Sequence, residues 1–252
     1  MTFFETFITV ISYLKNPQKR KLLKLSLLFK NKVGLEIGGP SSFFKMKSPL
    51  PIYLLAKSID GVNFNTNTLW EGVIKNGNTY NYWKNKRGIQ YIDEAIHLKD
   101  INESSFDFLL SCHSLEHIAN PIKALFEWKR VIRDNGYLVL ILPDKQFTFD
   151  INRPITTLTH LIEDHDKATP ESDNTHFEEV ISMTNLRIGG INMTSEEFTQ
   201  RTKLNHENRA VHHHVFDLEL IKSMLIYAGF SVLHQQAYSK LHLITIAQKT
   251  TV

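Results

Sequence analysis

The sequence predicts an α/β fold, a mostly parallel sheet of seven strands with helices on both faces. Two observations indicate this fold. Short apolar runs recur along the chain, and those at 33–37, 106–111 and 137–142 are followed by small or polar residues. An amphipathic stretch separates the last two runs, which is the pattern of a strand–helix–strand crossover. In such sheets ligands bind beyond the carboxyl ends of the strands, so the polar residues there are the first candidates for a site.

Seven runs have the length and composition of strands. They are 33–37, 59–64, 88–92, 106–111, 137–142, 230–238 and 241–249. A helix over 217–228 should stop at Gly229, and the last two strands should join in a tight turn at Ser239 and Lys240. The aromatic, Gly-containing segment 66–87 is predicted as an irregular loop over the site.

Composition places the chain among ordinary globular proteins. It has 252 residues, of which 42% are apolar and 22% charged, which suits one large α/β domain. The net charge of +3 is too small to indicate a nucleic-acid partner. Cys112 is the single cysteine, so an intrachain disulfide and a cysteine-based zinc site are excluded. A reducing cytoplasm is the simplest expected location.

The N-terminal segment 1–32 is predicted to be amphipathic helix. Its apolar run 3–14 precedes the basic cluster 15–24, the reverse of the order in a signal peptide. The run is also shorter than the ~20 residues that span a bilayer. We expect the segment to pack on the core or cover the site. A basic helix resting on an anionic membrane is the alternative.

The remaining chain, 33–252, is predicted to be one domain with an insertion. Residues 144–210 carry Pro154, Pro170 and many acids, and they lack the repeating βα pattern. We therefore interpret 144–210 as an inserted acceptor-binding or lid region.

The central part of the chain resembles class I S-adenosylmethionine-dependent methyltransferases. The resemblance rests on Phe106–Ile118 (FDFLLSCHSLEHI), on the helical run 121–131 that follows it, and on 136–144 (GYLVLILPD). It implies a Rossmann-like sheet of seven strands whose last strand is antiparallel. It also implies S-adenosylmethionine as cofactor and S-adenosylhomocysteine as product.

The first strand ends where this family carries its first cofactor motif, commonly (D/E)-x-G-x-G. Here the motif residues are Glu36, Gly38 and Gly39, and Pro40-Ser41 replaces the usual continuation. Glycines let the backbone approach a ligand closely. The resemblance implies that the Glu36 carboxylate attracts the ammonium group of the cofactor.

Strand 2 should supply the residue that binds the ribose diol. Asp60 is the family-like candidate, since a carboxylate can accept two hydroxyl hydrogen bonds, and Asn63 is the alternative. The resemblance also implies that Glu94 and Ala95, after strand 3, meet the adenine.

Strand 4 ends in Ser111, Cys112 and His113, and Ser111 and His113 should line the floor beneath the cofactor. The pair Glu116-His117 that follows is more typical of local structural support than of acid–base chemistry. Cys112 is expected to be a small apolar filler.

Methylation of a hydroxyl benefits from a general base, commonly a histidine. His160, Asp164 and His214 are the predicted catalytic residues, because His160 and Asp164 share a helix face at four-residue spacing. A divalent metal site is an open alternative, as is an ordinary polar loop at 212–214. The candidate ligands of the metal site are His160, Asp164, His176, Glu178, His212 and His214. Alternation along an extended segment would put His212 and His214 on one side.

Three cations offer a possible clamp for a phosphate or carboxylate on the acceptor. They are Lys145, Arg153 and Arg209, and simple ion pairs with neighbouring acids are the alternative.

The acceptor class is suggested by a further resemblance. Residues 143–164, the opening LEIGGPS at 35–41 and HHHVFD at 212–217 are similar to a bacterial group of class I methyltransferases associated with capsule and surface-polysaccharide synthesis. This implies a small-molecule acceptor, a hydroxyl or related group on a sugar or phosphorylated precursor.

Two other functions stay open. One is a small-molecule methyltransferase outside glycan metabolism, acting on a phosphorus-containing group or an amine, and the other is a non-catalytic partner protein. Nucleic-acid acceptors are disfavoured, because no base-flipping motif follows strand 4. The sequence makes no prediction of metal dependence or oligomeric state.

Overall fold

The computed structural model describes residues 16–188 and 192–250. Residues 1–15 of the predicted N-terminal amphipathic segment 1–32 lie outside the described residues. The rest of the segment contains helix α1 (Pro17–Ser26). Asn16 caps this helix, and its side chain accepts a hydrogen bond from the Lys19 amide at 3.1 Å. Leu22 of α1 is fully buried, so this part of the segment packs on the core.

Strands and helices alternate along the chain as predicted. The strands are β1 (Val33–Ile37), β2 (Ser58–Asn63), β3 (Asn67–Thr68), β4 (Gly72–Val73), β5 (Gly77–Trp83), β6 (Lys86–Ile92), β7 (Phe106–Cys112), β8 (Ile132–Pro143), β9 (Phe230–Tyr238) and β10 (His242–Lys249). The other helices are α2 (Ile52–Leu55), α3 (Pro121–Val131), α4 (Leu158–Asp166), α5 (Phe177–Met183), α6 (Ser195–Lys203), α7 (Asn205–Asn208) and α8 (Leu218–Tyr227).

The main sheet has eight strands in the order β5-β6-β2-β1-β7-β8-β10-β9, so the predicted count of seven was wrong. The additional strand is β5, which pairs antiparallel with β6 across a two-residue turn, with Trp83 opposite Lys86. Segment 66–87 was predicted to be irregular because it is rich in polar residues. Its alternation nevertheless buries Tyr80 and Tyr82 and exposes Asn81, the pattern of a half-buried strand.

Two apolar layers cover the sheet. On one face, α3 and α8 pack Trp128, Leu125 and Met224 into the larger core cluster. On the other, α1 and α2 contribute Leu22 and Tyr53 to a second cluster. Burial on both faces explains why the central strands are continuous apolar runs.

The sheet changes direction of winding at β1. Strand β1 lies between β2 and β7, both of which run parallel to it, so successive crossovers leave it in opposite directions. This switch point opens a crevice at the carboxyl ends of the strands, where ligands bind in open α/β sheets.

The chain closes with the predicted helix and hairpin. Helix α8 is capped by Asp217 and followed by Gly229 at φ +82°. Strand β10 inserts antiparallel between β8 and β9, which places His242 opposite Pro143 at the ligand-binding edge. Among the described residues, no helix is long and apolar enough to cross a membrane.

Candidate active site

A cavity of about 670 Å³ lies at the carboxyl edge of the sheet. Its walls come from the turn after β1, the ends of β2 and β6, the segment after β7, and the start of β10. A cavity of this size accommodates a ligand of a few hundred daltons. By the strand order, one end lies over β2 and β6 and the other over β7, β8 and β10.

The glycine turn leaves room for a ligand at the cavity wall. Gly38 lines the cavity at φ +73°, a conformation that favours glycine, and a Cβ there would stand 2.4 Å from Ser114 Oγ. Gly39 does not line the cavity. A Cβ on Gly39 would stand 2.3 Å from the Glu36 carboxyl carbon and the Tyr80 hydroxyl, so this glycine is needed by the packing beneath the turn.

Glu36 is fully buried and does not line the cavity. Its Oε2 accepts hydrogen bonds from the hydroxyls of Tyr53 and Tyr80, each at 2.7 Å, and its Oε1 accepts one from the Ser41 amide at 2.9 Å. Burial raises the pKa of Glu36 to about 7 despite these three donors. The predicted direct contact with the cofactor ammonium is therefore corrected: this carboxyl group supports the turn from below.

Asp60 also lies away from the cavity. It is the third residue of β2, and its carboxylate accepts a hydrogen bond from the Ile89 amide at 2.8 Å, so it ties β2 to β6. The last residue of β2, Asn63, lines the cavity instead. Its Nδ2 donates to the Gly39 carbonyl at 3.2 Å, and its Oδ1 accepts from Trp70 Nε1 at 3.0 Å. Asn63 therefore joins the glycine turn to the segment between β3 and β4 that carries Trp70.

Glu94 and Ala95 line the β6 end of the cavity. They follow β6, which corresponds to the predicted strand at 88–92. Arg209 donates to Glu94 Oε1 at 2.6 Å and also pairs with Glu171. Both Glu171 and Arg209 belong to 144–210 and line the cavity. Burial raises the pKa of Glu171 to about 7, although the Arg209 guanidinium lowers it.

The opposite end of the cavity carries a pair of histidines. His113, which follows β7, has its Nε2 3.0 Å from His242 Nδ1, and both residues line the cavity. The His242 ring also packs edge-on against Phe43, with ring centroids 4.7 Å apart. Burial lowers the pKa of His113 to about 3 and lowers that of His242 as well, so both rings are neutral near pH 7. Ser111 is buried and does not line the cavity, which corrects its predicted place in the floor.

His117 lines the cavity between the two ends. Its Nδ1 donates to the Val211 carbonyl at 3.0 Å, and its Nε2 lies 3.9 Å from Glu116 Oε1. Neither oxygen of the buried Glu116 has a hydrogen-bond partner among the described residues, and burial raises its pKa to about 7. His212 packs against His117, with ring centroids 4.7 Å apart.

The predicted catalytic residues do come together, but away from the cavity. His160 and Asp164 lie on one face of α4 with Nε2 and Oδ2 3.3 Å apart, and His214 Nε2 lies 3.7 Å from the same oxygen. None of the three lines the cavity. This placement corrects their predicted role as the base that contacts the acceptor.

Alternation along an extended segment predicted that His212 and His214 lie on one side. In the structure they point to different partners. His212 Nδ1 lies 2.5 Å from Asp150 Oδ2, whereas His214 Nε2 lies 3.1 Å from the Ala119 carbonyl oxygen. The segment is irregular here, so each histidine takes the direction that its own partner requires.

Two of the three cations predicted to bind a phosphate are engaged in hydrogen bonds within the protein. Arg153 is buried and donates to Asp150 Oδ1 at 2.8 Å, to Glu179 Oε1 at 2.9 Å and to the carbonyls of His212 and His213. Lys145 donates to the Arg153 carbonyl. Neither lines the cavity. The ion-pair alternative holds for Arg153, whereas Lys145 is engaged by a backbone carbonyl.

Comparison with known proteins relates part of the sequence to one family and the fold to solved structures. Residues 54–140 match the family described as methyltransferase domain. No curated protein matches the chain in sequence. Two solved structures share the fold. An S-adenosylmethionine-dependent methyltransferase from Mesorhizobium loti aligns with a TM-score of 0.54 at 10% identity, over 91% of this chain and 96% of that one. A Listeria monocytogenes protein assigned to the same activity aligns with a TM-score of 0.51 at 15% identity, over 93% and 98% of the two chains.

The fold and the cavity at the switch point thus define a class I methyltransferase architecture. Residues 54–140 carry the methyltransferase-domain signature, and the chain shares the fold of solved S-adenosylmethionine-dependent methyltransferases. The site fits this cofactor, because the backbone at Gly38 borders the cavity without a side chain and polar groups of Asn63 and Glu94 line one end.

Proposed function

We propose that the protein methylates a hydroxyl or related group on a sugar or phosphorylated sugar precursor of a surface polysaccharide. The acceptor class rests on the resemblance of residues 143–164 and 212–217 to the capsule-associated group. The chemistry rests on one observation, the neutral histidine pair His113–His242 at the cavity end over β7, β8 and β10.

We assign the adenosine half of the cofactor to the end of the cavity over β2 and β6. There Asn63 is our candidate for the ribose hydroxyls, replacing Asp60, and Glu94 with Ala95 is our candidate for the adenine. The glycine turn at Gly38 and the segment at His113 then flank the methionyl half. When bound, S-adenosylmethionine supplies an electrophilic methyl group on its sulfonium.

The remaining chemistry is removal of the acceptor's proton. We assign the hydrogen of the 3.0 Å contact to His242 Nδ1, donating to His113 Nε2, which leaves the lone pair on His242 Nε2 to accept the hydroxyl proton. Phe43 packs against the ring of His242 and restricts its rotation. An oriented, neutral imidazole meets the requirements for a general base near pH 7.

We also propose that 144–210 is the region that covers the acceptor. Glu171 and Arg209 from this region line the cavity, and Arg209 ties it to Glu94 of the sheet domain. The exposed Lys45 on the cavity wall is the candidate for a phosphate on the acceptor, since Lys145 and Arg153 are engaged elsewhere.

The test is formation of S-adenosylhomocysteine with nucleotide sugars, phosphorylated sugars and free sugars as acceptors. His242→Ala should lower kcat by about 10²–10⁴-fold, the usual value of a general base, and leave the Kd for S-adenosylhomocysteine within about twofold. His206→Ala, an exposed histidine of the same chain, is the matched control and should keep full activity.

Because His242 must be neutral to accept a proton, kcat/KM should be flat above pH ~6.5 and fall at lower pH, where the imidazole becomes protonated. Full turnover by His242→Ala would contradict the base assignment. Turnover with amine or phosphonate acceptors but with none of the sugars would contradict the acceptor class.

A further inference from the structure

Four side chains with metal-binding groups meet at one point outside the cavity. They are His160, Asp164, His176 and His214, and one potential ligand atom of each lies within 4.8 Å of all the others. The first two lie one turn apart on α4, whereas His176 precedes α5 and His214 precedes α8. Only the tertiary fold brings these three segments together.

Three distances between these atoms are close to those between the ligands of a tetrahedral ion. His160 Nε2 lies 3.2 Å from His176 Nε2 and 3.3 Å from Asp164 Oδ2, and His214 Nε2 lies 3.7 Å from that oxygen. Ligands that are each about 2.1 Å from a tetrahedral Zn²⁺ stand about 3.4 Å apart. Three imidazoles and one carboxylate are also a donor set that zinc accepts.

One oxygen of the central carboxylate, Asp164, has no hydrogen-bond donor. Asp164 Oδ2 is buried and accepts no hydrogen bond from the described residues. Its other oxygen accepts from the Thr169 hydroxyl at 3.1 Å. One oxygen is therefore oriented by a neighbour while the other is left for an ion, which is the arrangement of a metal-ligating carboxylate with its supporting contact.

Hydrogen bonds among the histidines alone leave this arrangement incompletely satisfied. Only one proton can lie between His160 Nε2 and His176 Nε2, so the two rings share a single hydrogen bond. A positive ion at the centre would satisfy Asp164 Oδ2 and the imidazole lone pairs together.

We propose that His160, Asp164, His176 and His214 bind a divalent transition-metal ion, with Zn²⁺ the best match. Four protein ligands close the coordination sphere, as in structural zinc sites. The ion holds α4, the start of α5 and the segment before α8 together, and so fixes the region 144–210 from within. The inference is independent of the proposed acceptor, since none of the four residues lines the cavity.

His214 gives the site a specific requirement. Its Nε2 lies 3.1 Å from the Ala119 carbonyl oxygen, so without an ion this nitrogen carries the proton and donates it there. Ligation through Nε2 moves the proton to Nδ1. Helix α4 is held close by a further bond, from Asn120 Nδ2 to the Asp164 carbonyl at 3.0 Å.

The experiment measures the metal content of the full chain, expressed with Zn²⁺ and without a histidine tag, by elemental analysis after dialysis. We expect about one equivalent of zinc, lost in His176→Ala and in Asp164→Asn and retained in His206→Ala. Removing the ion from the wild type with a chelator should lower Tm by about 5–10 °C, and adding back Zn²⁺ should restore it. Loading with Co²⁺ should give the visible absorption of a tetrahedral site.

The wild-type measurements decide the matter even if a variant misfolds. Less than about 0.1 equivalent of zinc after supplementation, with no response of Tm to chelator or Zn²⁺, would overturn the proposal. So would zinc that survives in His176→Ala and disappears in His212→Ala, because the ion would then lie at Glu116, His117 and His212, a second group whose ligand atoms also lie within 4.8 Å.

Discussion

The glycine turn after β1 and the region 144–210 both bury ionisable groups, but they stabilise them differently. Beneath the turn, the single acid Glu36 is surrounded by neutral donors, the hydroxyls of Tyr53 and Tyr80 and one amide. In the region 144–210, the cation Arg153 lies among two carboxylates and two carbonyls. The first arrangement leaves an acid that takes up a proton near pH 7, whereas the second keeps its charges.

The two arrangements shift the pKa values of their buried acids in opposite directions. Burial dominates at Glu36 and raises its pKa to about 7. Burial would also raise the pKa of Asp150, but His212 and Arg153 together hold it below its usual value. A buried group in contact with an opposite charge stays ionised. Removing its partner would leave an uncompensated buried charge, so the partner is needed for stability.

Arg153→Met should therefore have the largest effect on stability. It leaves Asp150 and Glu179 without their cation and two carbonyls without a donor, at a cost of about 3–5 kcal/mol in the free energy of unfolding. Urea unfolding at pH 7.5 measures it. The matched control is Arg133→Met, which removes an exposed pair with Asp107 (2.7 Å) and should cost about 0–1 kcal/mol. Equal losses in the two variants would contradict the buried role of Arg153.

Glu36→Gln should show the next largest effect, and this effect depends on pH. Because the folded-state pKa of Glu36 is raised from 4.5 to about 7, the folded protein binds more protons than the unfolded chain between these values. Wild-type stability from this group is present below pH ~4.5 and is lost as pH rises through ~7. The stability of Glu36→Gln relative to wild type should thus increase by about 3 kcal/mol from pH 4.5 to pH 8.

Urea unfolding of both proteins at three pH values measures this trend, and Glu163→Gln, at an exposed position on α4, is the control for loss of a surface carboxylate. A difference between Glu36→Gln and wild type that stays constant, or falls with pH, would show that the three donors outweigh burial at Glu36.

Much of the fold could be predicted because strands that are buried on both faces are apolar runs. Strand β1 has the predicted bounds, and β10 begins within one residue of them. Strand β5 was missed because its buried side chains, Tyr80 and Tyr82, carry hydroxyls and stand among polar neighbours. Strand β8 begins five residues earlier than predicted, since Ile132 pairs with Phe106 before the chain passes Asn135.

Less of the site could be predicted, because the position of a residue in the sequence does not fix the direction in which its side chain points. Asp60 is the third residue of β2, so it cannot reach the carboxyl edge where Asn63 ends the strand. His242 reaches the cavity through the register of β10 against β8, where it stands opposite Pro143, and no local motif reports that register. Of the six residues predicted as candidate metal ligands, His160, Asp164, His176 and His214 come together, whereas His212 lies with Glu116 and His117 and Glu178 belongs to neither group. Only the tertiary structure places the four outside the cavity.

Calorimetric titration of S-adenosylhomocysteine into wild type, Asn63→Ala and His242→Ala tests the proposed cofactor site directly. We expect micromolar binding to wild type, about 10–100-fold weaker binding to Asn63→Ala through the loss of one or two hydrogen bonds at the turn, and unchanged binding to His242→Ala. Undiminished affinity in Asn63→Ala, or no binding to a folded wild type, would contradict the assignment of the cofactor to the cavity at the switch point.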